Sequence, residues 1–211
     1  MVAGAVIGGP LASTAYVVGL QQAGSLVVPI SALCPAIGAI LGRILFKQEL
    51  NSRMMLGIAV CFAASAMIGS TGLEEGAPAN LFMGIFFGFL AALCWGIEGC
   101  ICGYGTALID PEVGITIRQV TSSMSNLIIL VPLFSAIAEV DAFAMVSRAF
   151  MDGQAMPWFV VAGFGSYLGF MLWYKGNAMC GAALGMACNG AFSFWGPFFC
   201  WIVLGMVFGL E

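Results

Sequence analysis

The stretch LFMGIFFGFLAALCWGIEGCICGYG, residues 81–105, determines the fold class of this chain. Its single charged residue is Glu98, and the other residues are apolar or small over a length that crosses the hydrocarbon core of a bilayer as a helix. A helix satisfies its own backbone hydrogen bonds where water is absent. The stretch therefore predicts a membrane-spanning helix that carries one carboxylate in need of a partner.

The composition of the whole chain also indicates a membrane protein. Of 211 residues, 62% are apolar, 8% are charged and none is histidine. The first charged residue is Arg43, so two apolar stretches precede it. A water-soluble surface cannot be built from such a sequence. This composition makes the lipid bilayer the expected partner. The net charge of −4 is spread without a basic run, so we expect no nucleic acid.

Apolar windows predict an all-α integral membrane protein. Seven spans are expected, at residues 2–20, 25–46, 54–71, 81–106, 112–138, 157–175 and 181–209. Asp110 is predicted to cap the fifth helix, with Pro111 at its first position. The longest link, residues 139–157, is predicted to hold a short interfacial helix.

The basic residues predict the orientation of the chain. Arg43, Lys47 and Arg53 flank one loop, which we therefore place in the cytoplasm. Alternation of the spans then puts the N-terminus of this chain in the cytoplasm as well. The expected location is the cell membrane, inner or plasma, with multiple passes.

Glu98 and Arg118 are the strongest candidates for functional residues, because an ionised side chain in hydrocarbon must be paired or wetted. Glu98 lies roughly 15 Å and Arg118 roughly 10 Å from the turn that joins their two helices, at about 1.5 Å per residue. The two side chains are therefore expected at similar depth, where they can form an ion pair or contact a polar substrate together. A purely structural pair remains the alternative.

Polar and aromatic residues near these charges extend the candidate substrate-binding or coupling site. Ser122 and Ser125 follow Arg118 at helical spacing, and Trp95 lies one turn from Glu98. The serine face either lines a substrate path or holds helices together.

Two segments near the ends of the chain share a pattern. Ser31 precedes Pro35 by four residues, as Ser193 precedes Pro197, and Asn189 lies one turn before Ser193. The copies are an odd number of spans apart, which turns one upside down as in inverted-repeat transporters. The prolines are candidate hinges, because each frees helix carbonyls that a cavity can use. Where these spans line a cavity, Ser31, Asn189 and Ser193 are further substrate candidates. Satisfied helix kinks are the alternative.

Glycines spaced by four residues indicate close helix packing. Gly99 and Gly103 form such a pair beside Glu98 and are candidates for hinge or packing positions. The same spacing recurs at Gly4 and Gly8, Gly38 and Gly42, Gly84 and Gly88, and Gly165 and Gly169.

The chain resembles the EamA-like branch of the drug/metabolite transporter superfamily. The stretches that carry the resemblance are ISALCPAIGAILGRILFKQELNSRMMLGI, LAALCWGIEG, IDPEVGITIRQVTS and GFMLWYKGNAMCGAALGMA. The resemblance implies ten helices in two inverted repeats of five, of which this chain supplies helices three to nine and lacks the first two and the last. Residues 1–73 then belong to the first repeat and residues 80–211 to the second. It also implies that the spans of Ser31 and Asn189 line a central cavity.

These observations predict a secondary transporter of small metabolites, such as an amino acid, a drug or a similar solute, by alternating access. No Walker A motif is present, and coupling to protons through Glu98 or facilitated diffusion are both compatible with the sequence. A homodimer is also compatible. The alternative is a truncated or non-transporting scaffold. We expect no enzyme, because histidine is absent, and no cofactor or metal, since the Cys100 and Cys102 pair has no companion ligands.

Overall fold

The computed structural model of the chain is α-helical, and it describes residues 1–47, 49, 51–72, 80–189, 198 and 202. No strand occurs among these residues. In the described part of the chain, five helical segments are long and apolar enough to cross a bilayer: Val2–Ala23, Val27–Phe46, Leu81–Gly105, Pro111–Ala136 and Met156–Cys180. The described part of the chain thus has the architecture of a multi-pass membrane protein.

Several spans are divided into shorter helices. The α-helices are α1 (Val2–Val6), α2 (Ala12–Ala23), α3 (Val27–Ser31), α4 (Cys34–Phe46), α5 (Ser52–Gly72), α6 (Leu81–Gly105), α7 (Pro111–Ser125), α8 (Val131–Ala138), α9 (Ala142–Met151), α10 (Met156–Cys180) and α11 (Ala182–Asn189). Two π-helical turns, Ile7–Leu11 and Asn126–Leu130, join α1 to α2 and α7 to α8. A 3-10 turn, Gly24–Leu26, lies between α2 and α3.

Most of the predicted spans correspond to helices. Five of them coincide with the long apolar segments, and the span predicted at 54–71 corresponds to α5. Of the span predicted at 181–209, the structure describes α11, whereas Ser193 and Pro197 lie outside the described residues. The inverted repeat therefore stays a prediction.

Two expectations about the links are confirmed. One oxygen of Asp110 accepts the backbone N–H of Glu112 at 2.8 Å and that of Val113 at 3.3 Å, and Pro111 begins α7. The longest link does contain a short helix, α9, whose first turn is capped by Asp141. Side-chain oxygens at these positions satisfy amides that a helix leaves free at its start.

Helix α6 lies at the centre of the packed helices, since it contacts α1, α2, α3, α4, α10 and α11. Small residues on α6 allow this. A Cβ atom on Gly84 would overlap the Cβ of Ala23 on α2, and one on Gly96 would lie 2.7 Å from the side chain of Ile37 on α4. Because lipid is as apolar as leucine, such close packing rather than the hydrophobic effect holds membrane helices together.

The Gly99 and Gly103 pair faces α11. A Cβ atom on Gly99 would overlap the sulfur of Met186, and one on Gly103 would lie 2.6 Å from the Cβ of Ala182. By contrast, a Cβ atom on Gly165 of α10 would meet no described atom within 4 Å. The glycine spacing therefore marks close helix contacts on α6, but not at Gly165.

Replacing Gly84 by valine is expected to lower the free energy of unfolding by about 1–3 kcal/mol, because the added atoms overlap α2. The measurement is an SDS titration of the detergent-solubilised protein, followed by circular dichroism. Gly165→Val is the matched control, since its side chain meets open space among the described residues. Equal unfolding midpoints for the two variants would contradict the packing role of Gly84.

Candidate functional site

Glu98 of α6 and Arg118 of α7 form a buried ion pair. The Nε of Arg118 donates a hydrogen bond of 2.7 Å to Oε1 of Glu98. Glu98 is 5% exposed and Arg118 is 8% exposed. The pair expected from their similar depth is therefore present. Each charge provides the counter-ion that the other needs away from water.

Arg118 also makes two further contacts. Its Nη1 donates to the side-chain oxygen of Gln119 at 2.9 Å, and its guanidinium carbon lies 4.4 Å from the centre of the Phe170 ring on α10. The second contact is a cation–π interaction, which strengthens when the charge is removed from water. Arg118 thus links α7 to both α6 and α10.

Trp95 lies one turn before Glu98 on α6 and points toward the first span. Its indole Nε1 donates to the backbone oxygen of Gly8 at 3.0 Å. Its ring packs beside Tyr16 of α2, with the ring centres 5.3 Å apart. The hydrogen bond satisfies the polar atom of a half-buried indole.

A cavity of about 470 Å³ opens beside the ion pair. This volume falls in the usual range of small-molecule sites, which combine apolar walls with a few polar groups. Residues of α4, α6, α7, α10 and α11 line it. They are Cys34, Trp95, Glu98, Arg118, Ser166, Gly169, Phe170, Trp173, Met186 and Asn189.

Four of the candidate residues meet at this cavity, namely Trp95, Glu98, Arg118 and Asn189. They come from three different helices, so only the packing of the helices brings them together. The structure places them around one space large enough for a small solute, while their role in binding or coupling stays a prediction.

Ser31, Pro35, Ser122 and Ser125 lie elsewhere among the described residues, whereas Ser193 and Pro197 are outside them. Ser31 is buried at the end of α3, where its hydroxyl donates to the backbone oxygen of Val28 at 2.8 Å. Pro35 stands at the start of α4, where a missing N–H costs no helical hydrogen bond. Ser122 is buried and Ser125 is partly buried on α7, and neither is among the described residues that line the cavity.

Sequence reasoning missed the wall that α10 contributes. Ser166, Phe170 and Trp173 lie on one face of α10 at intervals of four and three residues. Trp173 also joins α10 to α11, because its Nε1 donates to the backbone oxygen of Gly185 at 3.3 Å. The spacing of these three residues is the sequence signal for this wall. Because other faces of α10 also carry apolar residues, hydropathy does not show which face lines the cavity.

Comparison with protein-family models gives no match for this chain. Comparison with curated proteins likewise gives no match. The resemblance to EamA-like transporters therefore stays a prediction based on the motifs quoted above.

Breaking the ion pair at one end should destabilise the protein more than replacing both ends. Glu98→Gln or Arg118→Gln alone leaves an uncompensated buried charge, at a cost of about 3–5 kcal/mol. We expect the double variant to lose less than the sum of the two single losses. The measurement is the same SDS titration.

The matched control is the ion pair between Lys175 and Glu112. Its two atoms are also 2.7 Å apart, but the side chains are 44% and 61% exposed. Pairs as exposed as this one contribute little to stability, so Glu112→Gln should change the unfolding midpoint little. Equal effects of Glu98→Gln and Glu112→Gln would show that burial of the Glu98 pair has no energetic consequence.

Proposed function

We propose that this chain is a secondary transporter of small polar solutes, working by alternating access between inverted repeats. The observation that carries the proposal is the cavity of about 470 Å³ beside the buried Glu98 and Arg118 pair. Ionisable residues inside membrane-spanning helices are costly and typically belong to substrate or ion pathways.

The charges in the cavity favour a solute that itself carries charge. A carboxylate of the solute would accept hydrogen bonds from Arg118, and an ammonium group would donate to Glu98. Trp95, Phe170 and Trp173 would pack against the apolar part of the solute. An amino acid with an apolar side chain has all three features, and an amine drug has the ammonium group and the apolar part.

Glu98 also suits the role of a proton carrier. A proton on Glu98 would remove the negative partner of Arg118 and so change the balance of charge in the cavity. Binding of a solute would then compete with binding of the proton, which is one way to couple their movements. Facilitated diffusion without a proton remains the alternative, and the pH dependence of transport distinguishes the two.

The remaining parts of the proposal concern the cell. We place the protein in the cell membrane, inner or plasma, with the N-terminus of this chain in the cytoplasm, because Arg43, Lys47 and Arg53 flank one short loop. Membership of the EamA-like branch is part of the proposal, and a homodimer stays a prediction from the sequence.

Transport should be measured by counterflow in proteoliposomes, with tritiated amino acids as one probe and ethidium as the other. We expect Arg118→Ala to raise the KM for the transported amino acids by about 10–100-fold, because a charge-assisted hydrogen bond of about 1.5–3 kcal/mol is lost. We expect Glu98→Gln to abolish the pH dependence of uptake. Glu112→Gln is the control, since it removes a carboxylate that is paired with Lys175 and is not among the residues lining the cavity.

Two results would contradict the proposal. One is uptake by the folded wild-type protein that equals uptake by empty liposomes for both probes, which would favour the non-transporting scaffold. The other is transport whose KM and pH profile are the same in Arg118→Ala, Glu98→Gln and wild-type protein. That result would show that transport does not depend on the two charges of this cavity.

A further inference from the structure

The first span changes its hydrogen-bond pattern at one turn. In a regular α-helix the N–H of Ala12 would bond to the oxygen of Gly8, four residues earlier. Here the N–H of Ala12 bonds to the oxygens of Ile7 and Gly9 instead. Pro10 lies inside this π-helical turn and has no N–H to donate. The π-helical turn therefore leaves the backbone oxygen of Gly8 without its usual hydrogen bond from the N–H of Ala12.

That oxygen accepts a hydrogen bond from the cavity residue Trp95. The distance from the indole Nε1 to the Gly8 oxygen is 3.0 Å. Single π-helical turns often occur at functional sites, because they free a backbone group for another partner. In this protein the freed group belongs to the first span, and its partner lies on α6.

The other side of Gly8 faces the cavity carboxylate. A Cβ atom on Gly8 would overlap Cδ and Oε2 of Glu98 and would lie 2.7 Å from Oε1. The carboxylate thus occupies the space that any side chain at position 8 would need. Next to it, a Cβ atom on Gly9 would overlap the hydroxyl oxygen of Ser122 on α7.

We infer that Gly8 is a positioning residue for the ion pair and for Trp95. Its missing side chain leaves room for the carboxylate of Glu98. Its backbone oxygen orients Trp95, which lies one turn before Glu98 on α6. Oε2 of Glu98 is the carboxylate oxygen nearest to Gly8, and Oε1 accepts the hydrogen bond from Arg118. A side chain at position 8 would therefore force the carboxylate to move relative to the guanidinium group.

Only the consequence for transport rests on the proposed function. The geometry of the ion pair can be tested without a solute, by the SDS titration. In the protein with Gly8, the shift in midpoint caused by Glu98→Gln and Arg118→Gln together should differ from the sum of the two single shifts. In a Gly8→Ala background we expect this difference to fall to about half or less, because the pair is already displaced.

A second substitution makes the test specific for position. Asp is one methylene shorter than Glu, so Glu98→Asp draws the carboxylate back from position 8. We expect Glu98→Asp to lower the midpoint when residue 8 is glycine and to raise it when residue 8 is alanine. A general loss of stability would not reverse the sign of one substitution. Gly165→Ala is the control, because its Cβ meets open space among the described residues.

Three results would overturn the inference. One is a non-additivity of Glu98→Gln and Arg118→Gln that is as large in the Gly8→Ala background as in the protein with Gly8. Another is a midpoint shift of the same sign for Glu98→Asp in both backgrounds. The third is failure of both Gly8→Ala and the Gly8→Ala, Glu98→Asp double variant to fold. Folding of the double variant alone would support it.

Counterflow of tritiated amino acids provides the separate test of function. Where transport is measurable, Gly8→Ala should reduce it and Glu98→Asp should restore part of it in that background. A chain that transports nothing would still show the sign reversal in SDS, so failure of the transporter proposal and failure of the positioning role give different results.

Discussion

The pair between Glu98 and Arg118 is the interaction around which the helices are arranged. Neither charge is stable alone among membrane-spanning helices, so α6 and α7 must lie where the two side chains can meet. Arg118 also stacks on Phe170, which brings α10 to the same point. The cavity lies beside this junction of helices. Its two charges are kept in position by their ion pair and by the packing of the surrounding helices.

Close packing of backbones makes this junction compatible with a membrane. In lipid, apolar side chains gain little by facing each other, so helices associate where small residues let them approach. The small size of Gly84 and Gly96 lets α2 and α4 pack closely against α6, and that of Gly99 and Gly103 lets α11 do the same. A larger residue at these points would separate the helices whose side chains surround the cavity.

The π-helical turn of the first span combines close packing with the ion pair. Gly8 is small enough to lie against the carboxylate of Glu98. Its backbone oxygen does not accept the usual bond from Ala12 and accepts one from Trp95 instead. A regular helical turn would keep the bond from the N–H of Ala12 to the oxygen of Gly8, and an alanine at position 8 would crowd the ion pair. Local irregularity in the backbone is tolerated in a membrane where a neighbouring side chain takes up the free polar group, as Trp95 does here.

Residue order alone was sufficient to locate the helices long enough to cross a bilayer, because hydropathy and length answer that question directly. It was also sufficient for the cap at Asp110 and for placing Glu98 and Arg118 at similar depth, since a tight turn relates their depths, while the structure shows that the two form an ion pair. The cavity wall formed by Phe170 and Trp173, and the contact of Gly8 with Glu98, became visible only when the helices were packed together. The physical reason is that lipid-facing and protein-facing positions of these helices are equally apolar, so hydropathy does not show which face of a helix meets which neighbour.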